Sequence, residues 1–359
     1  MKVFLRKKKT FYLKPGKTSF MKKFFLFTKL VVILNSVFAV LLLFSYALPY
    51  IFPRSFPALS VLSLSVPILI FINIIFVIYW IIRLKKYFLI SLVVLLFGHK
   101  HISSLFKFSG KDENSPSAFK VMSYNVRVFN LYKWIDREDV DYEIIKVIKE
   151  ESPDIVCLQE FYNTKEKEFK YPYTYFKYKA TTDNIGQAIL SKYPIIKKGS
   201  LEFAHSGNNA IFADIVKDKD TIRVYNLHLQ SFHIDPQQEE LTQENSERLY
   251  ERMGSAFVVQ QEQAEVLENH RRVCSYKKIV CGDFNNTQYS NVYRQIKQDM
   301  KDTFDEAGSG FGRSYHYKYF PLRIDFILVD EGMEVLSHKS LTDQTLSDHY
   351  PIVASLKLD

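Results

Sequence analysis

Three apolar tracts dominate the first hundred positions. Leu30 to Pro53 is 24 residues without a formal charge, and Ser55 to Ile82 is 28. About 20 helical residues at ~1.5 Å each cross a ~30 Å bilayer core, so both tracts predict transmembrane helices. Neither has the polar face that a core helix of a soluble protein turns to water. An overlong basic stretch before the first tract, and a second tract after it, argue against a cleaved signal peptide. The third tract, Tyr87 to Phe106, is interrupted by His99, Lys100 and His101. It reads as a third span in preference to an interfacial helix, placing spans at about 30–52, 58–82 and 87–106.

After a polar, turn-rich linker (109–118), the pattern changes to short alternating runs. Lys120–Ser123, Ile155–Leu158, Ala188–Leu190, Ala210–Val216, Thr221–Leu229, Lys278–Cys281, Ile324–Val329 and Ile352–Leu356 predict strands. Val140–Glu151 and Ala256–Arg272 carry apolar residues at helical spacing, the latter after a charged lead-in from Gln237 to Glu251. The class is mixed α/β, and spacing alone does not choose the topology. The expected organisation is a membrane domain (1–108), the linker, and one large domain (119–359).

Charge sharpens that division. Residues 1–118 hold 17 Lys and Arg against 2 Asp and Glu, whereas 119–359 hold 31 against 37. The basic balance therefore belongs to the membrane domain and is no nucleic-acid footprint on the globular one. Ten basic residues precede the first span, the loop around Arg54 is nearly uncharged, and Arg83, Lys85 and Lys86 follow the second. Positive charge marks the cytoplasmic side, so the N-terminus lies inside and the loop near Arg54 outside. The large domain is then outside, periplasmic in a bacterial inner membrane, if the third segment spans, and cytoplasmic if it does not. Cys157, Cys274 and Cys281 form neither a disulfide framework nor a C-x-x-C zinc pair.

Candidate chemistry sits at strand ends. Asn125 interrupts an apolar strand, Glu160 follows one, and Asp283 and Asn285 share one side of an extended segment. Asp325 is flanked by strand formers, and Asp348 and His349 precede the last strand. Taken singly, a strand-end Asn is ordinarily a turn residue, His228 a satisfied core histidine, and Asp325 or Asp348 a loop cap or a partner for Arg323. Taken together, Glu160, Asp283, Asp325 and Asp348 with His228 and His349 are too many costly carboxylates to bury without a shared purpose. Oxygen-rich ligation of this kind suits Mg²⁺ or Mn²⁺ rather than zinc.

The ordered series S-Y-N-V-R, D-I-V-C-L-Q-E, G-Q-A-I-L-S-K-Y-P-I, N-L-H-L-Q-S, C-G-D-F-N-N, R-I-D-F-I-L and S-D-H-Y-P-I resembles the endonuclease/exonuclease/phosphatase superfamily over residues 119–359. Each motif alone is weak; seven in order are specific. The resemblance implies a two-sheet, four-layer α/β sandwich of the deoxyribonuclease I type and metal-dependent phosphate-ester hydrolysis. It implies Glu160 as principal metal ligand with Asn125 and Asp348 at the metal site, and His228 as donor to a phosphate oxygen. Asp283 and Asn285 would activate and hold the attacking water, and Asp325 would orient His349. Ser314 and His316, ahead of the Asp325 strand, are candidate substrate contacts. Residue types leave open whether Asp283 or His349 is the base, and whether one or two metal ions act.

The negative balance of residues 119–359 and the acidic stretch Gln237–Glu251 disfavour duplex DNA, whose phosphates call for basic contacts. Tethering at a bilayer favours a lipid or phosphosugar head-group phosphodiester over DNA or RNA. A catalytically silent binding module is the alternative of another class, and retention of all eight metal and catalytic residues argues against it.

Overall fold

The computed structural model describes residues 15–178, 183–204, 206–232, 243–317 and 320–358. The basic residues before Pro15 and positions 237–242 of the acidic stretch lie outside the described residues. Five helices come first: α1 (Pro15–Ser45), α2 (Pro57–Val61), α3 (Val66–Ile82), α4 (Phe88–Phe97) and α5 (His99–Leu105). The chain divides into two compact units, Met1–Phe44 with Ile68–Gly98, and Ser45–Pro67 with His99–Asp359.

Among the described residues, Lys23–Tyr50 and Pro57–Ile82, whose greater parts lie in the first unit, are the helical stretches long and apolar enough to cross a membrane. The third tract is not one helix. It bends by 78° between α4 and α5, where apolar residues give way at Gly98 to His99-Lys100-His101. A polar contact nevertheless ties α4 to the others. Ser91 Oγ lies 2.7 Å from Asn73 Oδ1 and 3.1 Å from Asn35 Oδ1, and Asn73 Nδ2 donates to the Phe38 carbonyl. All three side chains are buried. In lipid, where apolar contact does not discriminate, such bonds are a main source of helix pairing.

The second unit is a sandwich of two six-stranded sheets. One runs β11 (Met333–Ser340), β12 (Ile352–Leu358), β1 (Phe119–Asn125), β2 (Ile155–Tyr162), β4 (Ile185–Ser191), β3 (Tyr173–Tyr178). The other runs β5 (Ile195–Ser200), β6 (Ala210–Lys217), β7 (Asp220–His228), β8 (Lys277–Asp283), β10 (Asp325–Val329), β9 (Lys301–Asp302). The pairs β1–β2 and β7–β8 are parallel, and the other neighbours antiparallel. Alternation builds four layers. Val121, Ile155, Cys157, Ile222, Val224, Ile279 and Cys281 face between the sheets. Met122, Tyr124, Val156 and Leu158 face outward onto Ile144 and Ile148 of α6 (Val140–Glu151). On the other side Tyr225, Leu227 and Val280 meet Phe257 and Leu267 of α7 (Gln243–Arg272) and Val292 of α8 (Asn291–Lys297). A short α9 (Thr303–Ala307) follows β9.

The loop between the first two apolar helices belongs to this unit. Val61 joins the core around Phe257, the Arg54 N–H donates to Gln261 Oε1 (2.9 Å), and Asn291 Nδ2 donates to the Pro49 carbonyl (2.8 Å). The expected linker is also pinned, Asp112 pairing with Ser337, and Lys107 just ahead of it pairs with Gly310.

Candidate active site

Strand register assembles the site. Asn125 and Glu160 sit at the end of the parallel pair β1–β2, and His228 and Asp283 at the end of β7–β8. In the second sheet His228 lies opposite Asp283, and Asp283 opposite Asp325, giving a row across three strands. Asp348 and His349 arrive from the segment before β12. Two of these positions hold strained backbone. Glu160 (φ 50°) and Asn285 (φ 48°) are left-handed although neither is glycine, a conformation that persists only where surrounding contacts enforce it. Gly282 (φ 137°) has no such alternative, since a Cβ there would lie 2.0 Å from the Leu227 carbonyl oxygen.

Asn125 Nδ2 donates to both Glu160 Oε1 and Asp283 Oδ2 at 3.1 Å, linking the two sheets. The Asn285 N–H donates to Asp283 Oδ1 (2.8 Å), and its amide to the Leu229 carbonyl (2.9 Å). His228 Nε2 lies 3.7 Å from Glu160 Oε1 and equally far from Asp283 Oδ2. His349 Nδ1 meets Asp325 Oδ2 at 2.9 Å, leaving Nε2 directed at Asp283 Oδ2, 3.6 Å away. Asp348 Oδ2 pairs with Arg127 Nε at 3.2 Å, and its other oxygen accepts from Ser347. Eight of the ten expected residues therefore converge.

The other two behave differently. Ser314 is fully buried, and its hydroxyl accepts the Ile324 and Asp325 N–H groups at 2.9 Å. It holds the Asp325 strand instead of facing substrate as expected. His316 is exposed, with its N–H on the Asp348 carbonyl. Neither lines the cavity of about 780 Å³ beside Glu160 and His228, whose walls include Tyr132, Trp134, Lys177 and Asn208. Arg127 stacks on Trp134, 4.2 Å from the ring centre. Sequence reasoning also passed over Asn226. Its amide donates to the Leu158 and Ala188 carbonyls and its oxygen accepts from Gln159, a polar bolt between the sheets just behind the site. The available signal was its place two residues before His228, on the face of β7 that points between the sheets.

Electrostatics follow from burial. Burial pushes the Asp283 carboxyl up to about 7 against the pull of His349. Glu160 is raised by burial and by Asp348. Burial alone would lower His349, but Asp325 and Asp283 outweigh it and hold the imidazole well above its ordinary value. Asp283, Asp325 and His349 bring donor atoms within 4.8 Å of one another, yet His349 is already committed to Asp325. Glu160, Asn125 and Asp348 gather further side-chain oxygens beside this cluster, and at Glu160 burial outweighs the pull of His349 and Arg127. Such a set fits Mg²⁺ or Mn²⁺.

Residues 122–349 match the family described as endonuclease/exonuclease/phosphatase, and residues 28–105 a domain of unknown function, DUF8431. The fold is similar to a Bacteroides vulgatus endonuclease/exonuclease/phosphatase (19% identity, 67% of this chain and 99% of that one, TM-score 0.52). It is similar, too, to a Bacteroides thetaiotaomicron family protein (18%, 68% and 100%, 0.51) and to the human Nocturnin catalytic domain (17%, 72% and 99%, 0.51). Comparison with curated proteins returns no match. With well over half its length matched and the strand-end cluster in place, the chain belongs to the endonuclease/exonuclease/phosphatase family.

Proposed function

We propose that this chain is a membrane-tethered, divalent-metal-dependent phosphoesterase that hydrolyses a phosphodiester, with a lipid or phosphosugar head group favoured over nucleic acid. The supporting observation is the row His228–Asp283–Asp325, closed by His349 on one side and by Asn125–Glu160 on the other. Glu160, Asn125 and Asp348 would hold the ion, which when bound would withdraw charge from phosphate oxygens and the leaving oxygen. Asp283, with a carboxyl poised near neutrality, accepts the proton of a water held by Asn285 as that water attacks phosphorus. The imidazolium of His349, oriented by Asp325, donates to a phosphate oxygen, as does His228. The P–O bond opposite the water breaks, and the departing oxygen takes a proton from solvent.

Orientation has its own support. The loop 45–67 shares a compact unit with residues 99–359, so catalytic domain and loop lie on one side of the membrane. Positive charge before α1 assigns that side as outside, which requires the Tyr87–Phe106 segment, beginning with α4, to make a third crossing. Fusions after Asp359 test this: alkaline phosphatase is expected active and a cytoplasm-only reporter silent, and the opposite pattern refutes it. Full-length protein in detergent, offered sphingomyelin, phosphoinositides and nicked plasmid with EDTA controls, tests the substrate. Metal-dependent cleavage of a lipid supports the proposal, whereas cleavage of plasmid alone rejects the head-group preference.

A further inference from the structure

Helix α7 touches the catalytic centre through one buried carboxamide. Gln260 is fully buried, and every polar atom of its side chain is used. Its Nε2 donates to the Gln230 carbonyl (2.7 Å) and to the Asn285 carbonyl (3.2 Å), and its Oε1 accepts from Asn286 Nδ2 (2.7 Å). Gln230 lies two residues beyond His228, and Asn285 two beyond Asp283. The same amide thus joins the two strand-end loops that carry the proposed phosphate donor and the proposed base. Gln263, one turn along the same face of α7, supports it by accepting the Gln230 N–H at 2.9 Å.

Nothing in the proposed chemistry uses Gln260, yet the turn it grips is strained. Asn285 is left-handed, and its N–H and amide both hold Asp283. A left-handed non-glycine residue relaxes unless its surroundings over-determine it. Deleting the carboxamide would also take a hydrogen-bond partner from the Gln230 and Asn285 carbonyls and from the buried Asn286 amide. We propose that Gln260 is a positioning residue: it fixes the Asp283–Asn286 turn against the end of β7 so that Asp283, Asn285 and His228 address the same phosphate. The inference rests on the phosphoesterase reading. The neighbour Gln261 offers an internal control, because it is almost as buried on the same helix but holds the Arg54 N–H and Glu265, away from the turn.

The test compares Gln260→Met and Gln261→Met in the detergent-solubilised full chain, using bis-p-nitrophenyl phosphate with Mg²⁺ and correcting rates for folded protein. Gln260→Met is expected to lower kcat by about 100-fold, the scale of a small misplacement of reacting groups, with KM and the Mg²⁺ concentration for half-activation little changed. Gln261→Met is expected to lower Tm while keeping kcat. Asn286→Ala removes the turn's side of the same bond and carries the test should Gln260→Met not fold; the same loss of kcat is expected. Full kcat in both Gln260→Met and Asn286→Ala, or an equal loss in Gln261→Met, overturns the positioning role and leaves the phosphoesterase reading standing. A wild-type chain without metal-dependent turnover overturns that reading itself.

Discussion

Two aspartates in neighbouring parts of one sheet, Asp283 on β8 and Asp302 on β9, are each about 1% exposed and have opposite fates. Asp302 Oδ2 accepts from Arg323 Nη1 and Tyr293 Oη at 2.6 Å, and its other oxygen from the Phe304 N–H. Burial would raise its carboxyl, but Arg323 prevails and the pKa ends below the ordinary carboxylate value. Asp283 has amide donors and an imidazole 3.6 Å away, and its pKa rises to about 7. One buried charge is complete within the fold. The other is left with its desolvation cost only partly offset, a pattern that marks candidate functional sites.

The sharpest way to break this comparison is to neutralise each aspartate. Asp302→Asn leaves buried Arg323 only the longer 3.7 Å pairing with Asp305 and is expected to destabilise by about 3–5 kcal/mol in denaturant melts, with kcat per folded molecule retained. Asp283→Asn is expected to do the reverse, lowering kcat about 10²–10³-fold while keeping or raising Tm. Equal stability losses in the two variants would end the distinction. Metal linkage comes next. Mg²⁺ at about 100 times its dissociation constant is expected to stabilise the wild type by about 2.7 kcal/mol and Glu160→Gln far less, as read from thermal shifts.

The pH dependence is subtler. The folded state holds the Asp283 proton up to about 7, whereas the unfolded chain releases it near its ordinary value of 3.8. Between those limits the folded state binds more protons, so stability in EDTA is expected to fall as pH rises through that window. Asp283→Asn should flatten the slope, and an unchanged slope would count against the raised carboxyl. The smallest effect belongs to Arg54, whose ion pairs with Glu262 and Glu265 are exposed. Arg54→Ala is expected to cost no more than about 1 kcal/mol, since its backbone bond to Gln261 survives.

The strand-end polar residues were legible against their apolar runs, whereas the four-layer sandwich came from the resemblance of seven ordered motifs to a known family. The eight strands foreseen include every interior strand of both sheets, while the four missed, β3, β5, β9 and β11, are the sheet edges. Edge strands are half-wetted and often charged, as in Ile195-Ile196-Lys197-Lys198, so their alternation fades. Helix α7 starts at Gln243, well before the apolar spacing that announced it, because its first turns carry little that needs burying. Asn226 and Gln260 escaped, and Ser314 was given the wrong role, for another reason. Each satisfies backbone groups of a segment distant in sequence, and such pairing follows from register, which local pattern does not encode.

The central claim is that these strand ends form one phosphoester-hydrolysing centre around a divalent cation. Hydrolysis of bis-p-nitrophenyl phosphate by the purified full chain, with Mg²⁺ or with EDTA, in wild type and in Glu160→Gln, tests it most directly. The account predicts turnover with Mg²⁺, none with EDTA, and a loss of about 10²–10³-fold in the variant. Turnover that persists in EDTA and is indifferent to Glu160 would contradict it.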